Sequence, residues 1–200
     1  MPTLMDLEAA LDALAHGGVV GLPTDTVYGL AASLDHPLAV TALFDLKGRP
    51  TSVALPVLVG SVAQIEDLGV VWPSRADRLS NVFWPGALTI IVAVPPRLSA
   101  LVGSRSETVG FRSPNDDVLR QLLERSGPLA LTSANAHGER PCENADQLLE
   151  VFSGRVELSG VVDGGPRSGV VSTVIDLSAP AWRLVREGAI GEPDLVALLD

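Results

Sequence analysis

The sequence predicts an α/β fold: a single domain built on one twisted, mixed β-sheet with flanking helices. Three observations carry that reading. Apolar residues alternate between helical spacing and short continuous runs along the whole chain, the pattern of interleaved helices and strands. The composition does not break anywhere: 46% of the residues are apolar, with no low-complexity tract and no internal repeat. A length of 200 residues suits one domain, which should bury roughly 70% of the unfolded chain's surface. Residues 1–200 are therefore read as one unit.

Each element has its local reason. Leu4, Leu7, Leu11 and Leu14 fall at helical spacing and stop at Gly17-Gly18, a glycine helix end. "VVGL" (19–22) reads as a buried strand, and "HPLAVTALFDL" (36–46) as a helix with Pro37 in its first turn. "LPVLVG" (55–60) is a strand, "RADRLSNVF" (75–83) a helix after Pro73, and "ALTIIVAV" (87–94) and "TVGFR" (108–112) are buried strands. "NDDVLRQLLERSG" (115–127) is a helix with acids at its start and Gly127 at its end. "PLALTSAN" (128–135) is a strand running into a polar loop, and "ENADQLLEVFSG" (143–154) a helix. "VVDGG", "VSTVIDL" and "AWRLVREG" are strands with polar ends, and "PDLVALL" (193–199) is a final helix.

Charge and cysteine usage narrow the function classes. With 14 Lys+Arg against 24 Asp+Glu the formal net charge is −10, which argues against loose binding to nucleic acid or an anionic membrane. A small cationic pocket remains compatible with it. The one cysteine, Cys142, excludes an internal disulfide framework and fits a reducing compartment. The N-terminus carries Asp6 and Glu8 without a basic n-region, and the longest apolar run is far below the ~18 residues of a membrane span. A soluble, cytoplasmic protein is expected.

Several polar stretches interrupt the apolar runs, and each has an ordinary reading of its own. "PTDTVY" sets Thr24, Asp25 and Thr26 at a strand end, which alone reads as a helix N-cap. Lys47 and Arg49 bracket a glycine after a helix, where cations complement the macrodipole. Lys47 is nevertheless the only lysine among the basic residues, the rest being arginine. An ammonium offers what a guanidinium does not, a compact point charge suited to a phosphate oxygen. Ser133 and Asn135 end a strand two residues apart, on one face while the chain stays extended. No G-x-S-x-G elbow surrounds Ser133, so an acyl-transfer nucleophile is not indicated. "VVDGGPRSGVVST" is glycine-rich but is not a P-loop, and isolated it reads as two tight turns. The three histidines and Cys142 have no metal-ligand spacing, so no metal site is expected.

The order of these pieces is far more specific than any one of them. "PTDTVYGLAA", "LKGRP", "LPVLVG", "FWPGALTIIV", "VGFRSP", "PLALTSANAHGERP", "VDGGPRSGVVSTVIDL" and "LVREGAI" resemble, in order, the YrdC/TsaC family of threonylcarbamoyl-AMP synthases, from about residue 8 to residue 191. The pairing of K-x-R with S-x-N is that family's signature. The resemblance implies a deep cationic cavity on the sheet and a reaction that joins L-threonine, bicarbonate and ATP, with magnesium accompanying the nucleotide. Threonylcarbamoyl-adenylate and pyrophosphate would result, and a downstream tRNA threonylcarbamoyl transferase would take the product. It implies that Lys47 and Arg49 meet the ATP phosphates as the catalytic cations. Thr108, Ser133, Asn135, Cys142 and Arg186 would hold the nucleotide; Thr24, Arg112, Ser172 and the backbone of Leu131 would hold threonine.

The chain departs from the family pattern in places. Val171 stands where relatives usually carry an acid, Ala54 where proline is common, and Thr132 where proline precedes "SAN"; the "HGERPC" loop is one residue longer than usual. The short, single-domain type is the better match. Two rivals stay open, a carbamoyl-transfer module of the same fold and a non-catalytic RNA-binding protein. The acidic charge counts against the latter, and weak or no direct nucleic-acid binding is expected.

Overall fold

The computed structural model describes residues 2–48, 54–136, 138–167 and 169–199. Arg49, in the K-x-R pair, and His137 lie outside the described residues. In chain order the elements are β1 (Thr3–Met5), α1 (Leu7–Ala15), β2 (Val19–Leu22), β3 (Gly29–Ser33), α2 (Pro37–Lys47), β4 (Val57–Leu58), α3 (Val62–Asp67), α4 (Ser74–Phe83), β5 (Leu88–Ala93), α5 (Pro96–Leu101), β6 (Thr108–Arg112), α6 (Asp117–Ser126), β7 (Leu129–Ser133), α7 (Ala145–Val151), β8 (Leu158–Val162), β9 (Thr173–Asp176), β10 (Arg183–Arg186) and α8 (Glu192–Leu199).

The strands form one sheet in the order β1-β8-β2-β3-β7-β4-β6-β5-β9-β10. It is mixed, as expected: β1 and β2 flank β8 in parallel, and β4–β6 and β5–β9 are parallel. The β2–β3, β3–β7, β4–β7, β5–β6 and β9–β10 pairs are antiparallel.

Period-two alternation sorts each central strand between two faces. Leu30 and Ala32 of β3, Val109 and Phe111 of β6, Ile90 and Val92 of β5, Ala130 of β7 and Ile175 of β9 all join one apolar cluster. That cluster is closed by α2, α4, α7 and α8, with single residues from α3 and α5. The opposite face is covered differently. Ala10 and Leu14 of α1, with Leu119, Leu122 and Leu123 of α6, pack on Val20, Leu22, Ala31, Leu58 and Leu129. Thr89, Ile91, Gly110, Arg112, Leu131 and Val174, which alternate with the core residues, line a cavity instead.

Four elements differ from the sequence reading. Thr3–Met5 is an edge strand paired with β8 rather than the first turn of α1, and Asp6 caps the helix by accepting from the Ala9 amide at 2.9 Å. β3 ("GLAAS") is buried throughout, so it shows no alternation to read. Helices α3 and α5 are six residues each, too short to display a period. The expected N-cap at Thr24–Thr26 is also corrected: no helix follows, and the stretch joins β2 to β3, which pair antiparallel at Leu22↔Gly29.

Candidate functional site

The cavity has a volume of about 930 Å³. Its floor is the strand face just described, and loops 24–28 and 169–172 meet beside it. Gly169 donates its amide to the Thr26 carbonyl at 2.9 Å, and a Cβ on Gly169 would stand 2.9 Å from the Asp25 carbonyl oxygen. Glycine is needed there because the two backbones touch. Two more glycines keep the floor open. A Cβ on Gly29 would meet Leu131 at 2.9 Å, and one on Gly110 would meet Thr89 at 2.9 Å. Among the described residues the charged ones lining the cavity are three arginines, Arg105, Arg112 and Arg186, and one acid, Glu139. A cationic pocket thus sits inside a chain of net charge −10.

One cluster forms where α2 ends against β7. Gly48 closes α2 in the left-handed region, φ 59°, and Lys47 in the last turn reaches across to the strand end. Its Nζ donates to Ser133 Oγ at 2.6 Å, the Ser133 carbonyl at 3.1 Å and Asn135 Oδ1 at 2.9 Å. Ser133 Oγ in turn donates to Asn135 Oδ1 at 2.6 Å, and Asn135 Nδ2 is held by the carbonyls of Ala136 and Glu139. Lys47 is only 8% exposed, which overturns the reading of a surface charge serving the helix dipole. Ser133 and Asn135 line the cavity, and Lys47 stands directly behind them.

A second cluster centres on Arg112. Its Nε donates to the Gly86 carbonyl at 3.0 Å, Nη1 to Thr26 Oγ1 at 3.3 Å and Nη2 to Asp25 Oδ1 at 2.5 Å. Gly86 follows the cis Trp84–Pro85 peptide and is itself anchored by donating to the Ser113 carbonyl. A guanidinium has five N–H donors. Three are engaged, which leaves one on each terminal nitrogen, the fork that grips a carboxylate. Thr24 Oγ1 fixes the turn above it, bonding to Thr26 Oγ1 and donating to the Val27 carbonyl at 2.6 Å.

Arg186 joins the two sides. Its Nε and Nη2 donate to the Ser172 carbonyl at 3.0 and 2.8 Å, and Nη2 also reaches Ser172 Oγ at 3.0 Å. Ser172 Oγ shares a hydrogen bond with Thr89 Oγ1. Burial, and then repulsion from Arg112, hold the Arg186 pKa below its ordinary value. Two guanidiniums within electrostatic reach of each other favour an anion between them.

The remaining expected residues are placed as follows. Thr108, at the far end of β6 from Arg112, lines the cavity and bonds to Ser106 Oγ at 2.8 Å. The two ends of that strand are about 13 Å apart at the usual rise. Leu131 lines the floor, and its amide donates to the Pro56 carbonyl at 3.0 Å. An antiparallel partner normally returns that bond. Proline has no N–H, so residue 56 cannot donate to the Leu131 carbonyl. Cys142 is not a lining residue of the cavity. It is 4% exposed in the apolar core, its amide and carbonyl are bonded to Ala134 and Tyr28, and burial pushes its thiol pKa up. Cys142 is a free thiol in the segment between β7 and α7, and that segment is buried there. Sequence reasoning named Thr26 only as part of a helix cap, and passed over Thr89 and Arg105. Thr89 could have been found as a polar residue at the start of an apolar strand, while Arg105 sits in an ordinary-looking "GSRSE" turn.

Similarity to known proteins runs over nearly the whole chain. The Sua5/YciO/YrdC family model, described as telomere recombination, matches residues 12–188. A threonylcarbamoyl-AMP synthase of Bacillus subtilis is 38% identical over 189 residues, covering 93% of this chain and 54% of its own. A Mycobacterium tuberculosis relative is 36% identical over 192 residues, covering 96% and 88%. Pyrococcus abyssi Sua5 complexed with L-threonine superposes with a TM-score of 0.89 at 31% identity, over all of this chain and 60% of its own. E. coli YciO gives 0.80 at 25% identity, over 95% and 94%. This chain therefore spans little more than half of the Bacillus and Pyrococcus proteins, and most of the other two. A match over nearly the whole length, in sequence and in fold, means that the chain belongs to the Sua5/YciO/YrdC family.

Proposed function

We propose that this protein is an L-threonylcarbamoyladenylate synthase, a nucleotidyltransferase that uses L-threonine, bicarbonate and ATP. The observation that carries the reading is the pairing of two polar clusters on one cavity floor. Arg112 keeps a free fork for a carboxylate, and the Lys47–Ser133–Asn135 cluster stands where β7 ends. The relatives support it, since several are threonylcarbamoyl-AMP synthases and one was solved with L-threonine.

In this reading the threonine carboxylate sits on Arg112, close to Thr24, Ser172 and the Leu131 carbonyl. Ser133, Asn135 and Thr108 hold the nucleotide, and Lys47 and Arg49 serve its phosphates. Cys142 would act only by fixing the loop that carries Pro141. The threonine amine and bicarbonate condense to a carbamate with loss of water. A carbamate oxygen then attacks the α-phosphorus as the bond to the β-phosphate breaks, releasing pyrophosphate. Arg186, bonded to Ser172 and near Arg112, lies where the two substrates meet and would face the charge that develops there. Such a step asks the protein for positioning and charge stabilisation rather than a nucleophile. Among the described residues no cluster of His, Cys, Asp and Glu could hold a metal ion. In this reading magnesium enters as part of the substrate, on the triphosphate. The adenylate would pass to a tRNA threonylcarbamoyl transferase. A cytoplasmic location belongs to the same reading; among the described residues no helix is long and apolar enough to cross a membrane.

The test is incubation with radiolabelled bicarbonate, L-threonine and MgATP, following label in the adenylate and pyrophosphate release. Threonine-dependent formation of both is expected. Label or nucleotide turnover that requires carbamoyl phosphate instead would favour the carbamoyl-transfer reading. Tight, salt-resistant RNA binding without turnover would favour the RNA-binding one.

A further inference from the structure

We propose that Arg105 is a ligand of the nucleotide's triphosphate, a role that rests on the ATP reading above and adds a residue outside its motifs. Arg105 lines the cavity and is exposed. The other described cations of the site already hold protein acceptors: Lys47 holds Ser133 and Asn135, Arg186 holds Ser172, and Arg112 holds Asp25, Thr26 and Gly86, with its remaining donors assigned to the threonine carboxylate. Among the described residues Arg105 makes no hydrogen bond or ion pair, so its five donors are available to a ligand.

The turn that presents it is held on both sides. Ser104 donates its amide to the Ser99 carbonyl at 2.8 Å, and the Val94 amide donates to the Glu107 carbonyl at 2.9 Å. Ser106 Oγ bonds to Thr108 Oγ1, and the Thr108 amide donates to Ser104 Oγ at 3.4 Å. Between them Glu107 sits at φ 51°, the one non-glycine residue with positive φ among those described. A left-handed conformation is unfavourable for glutamate, and such conformers gather at ligand sites. The turn adjoins Thr108, the strand end away from Arg112, so Arg105 stands at the nucleotide end of the floor. An unpaired guanidinium in an otherwise acidic chain, beside two serines and a threonine, suits a polyanion.

The experiment is calorimetric titration of wild type, Arg105→Ala and Arg105→Lys with MgATP and with adenosine, alongside thermal melting. Arg105→Ala is expected to weaken ATP about tenfold to a hundredfold, the loss of one charged contact, with adenosine affinity and melting unchanged. Arg105→Lys should recover part of it, because the charge persists without the fork. Equal ATP affinity in wild type and Arg105→Ala overturns the inference while leaving the synthase reading intact. A matching loss for adenosine overturns it too, since Arg105 would then contact the nucleoside. No ATP binding by the wild type would overturn the synthase reading, and this inference with it.

Discussion

Lys47 shows how much one side chain's surroundings change what its removal means. As a surface cation it would be worth a few tenths of a kcal/mol, yet three acceptors surround its ammonium and little solvent reaches it. Lys47→Ala should therefore destabilise the fold by ~1–3 kcal/mol, the cost of leaving buried acceptors without a donor. It should also cut turnover by ~10²–10³ if the ammonium also serves the phosphates. Lys47→Arg should fail too, because a planar fork does not fit between acceptors arranged around a point charge. Pyrophosphate release measured beside thermal melting checks both; near-normal turnover in Lys47→Arg would return the phosphate site to other cations. Arg112 makes a different kind of test. Arg112→Ala should raise the threonine requirement ten- to a hundredfold, for a charged pair worth ~1.5–3 kcal/mol, with a much smaller change for ATP. It also strands Asp25, whose side chain is 14% exposed. Part of the stability lost should accordingly return in the double variant with Asp25→Ala. A loss confined to ATP affinity would show that Arg112 belongs to the nucleotide.

Two loop clasps act at the level of elements. The segment after β10 lies against the segment before β9, and Gly188 is the contact: a Cβ there would stand 2.2 Å from the Val171 carbonyl oxygen and 2.6 Å from the Ser172 carbonyl carbon. Backbone atoms cannot move aside cheaply. Gly188→Ala should cost ~1–3 kcal/mol and shift Ser172 and Arg186, raising the threonine requirement. Gly191→Ala, whose nearest neighbour would be 3.5 Å away, should be silent in the same melting and activity assays. The second clasp is Tyr28. Its hydroxyl donates to the Gly165 carbonyl at 2.9 Å and accepts from the Gly164 amide at 3.0 Å, tying the start of β3 to the loop after β8. Burial, chiefly, pushes its pKa above the ordinary value of 10.0. The unfolded chain therefore ionises first, so this contribution is complete below pH ~10 and is lost as pH rises through the folded-state value. Tyr28→Phe should be less stable than wild type at neutral pH, and the gap should narrow above pH ~10. Denaturant melts at the two pH values check this; a constant gap would sink it.

At the scale of the molecule, one sheet runs through all of the described strands, and both apolar clusters pack on it. Neither cluster has a sheet of its own to fold on. We therefore expect the chain to unfold as a single unit, with far-ultraviolet circular dichroism and tryptophan fluorescence tracing one coincident denaturant transition. Trp72 and Trp84, 5.5 Å apart, report on the face away from the cavity. Two separated transitions would divide the molecule instead.

Most of the architecture was legible in the sequence because local physics dictates it. The Leu119, Leu122 and Leu123 stripe, the Asp116 cap and Gly127 define α6 without help from the rest of the fold, and "TVGFR" is a strand with the boundaries it was read to have. The order of motifs was enough to reach the family. Elements whose identity depends on neighbours stayed hidden. β1 is a strand because β8 offers it an edge, and β3 is buried on both faces, so periodicity had nothing to act on. The same division runs through the site. Sequence named Lys47, Ser133, Asn135, Arg112 and Ser172 as candidates, but contacts made across 86 residues decided that Lys47 is buried against Ser133. Folding likewise took Cys142 into the core and left Arg105 as a cavity cation without a partner among the described residues. Local sequence sets backbone preference and the spacing of side chains on one element. Which charges are paired, which are desolvated and which face a ligand depends on groups far apart in the chain, and only their packing together determines it.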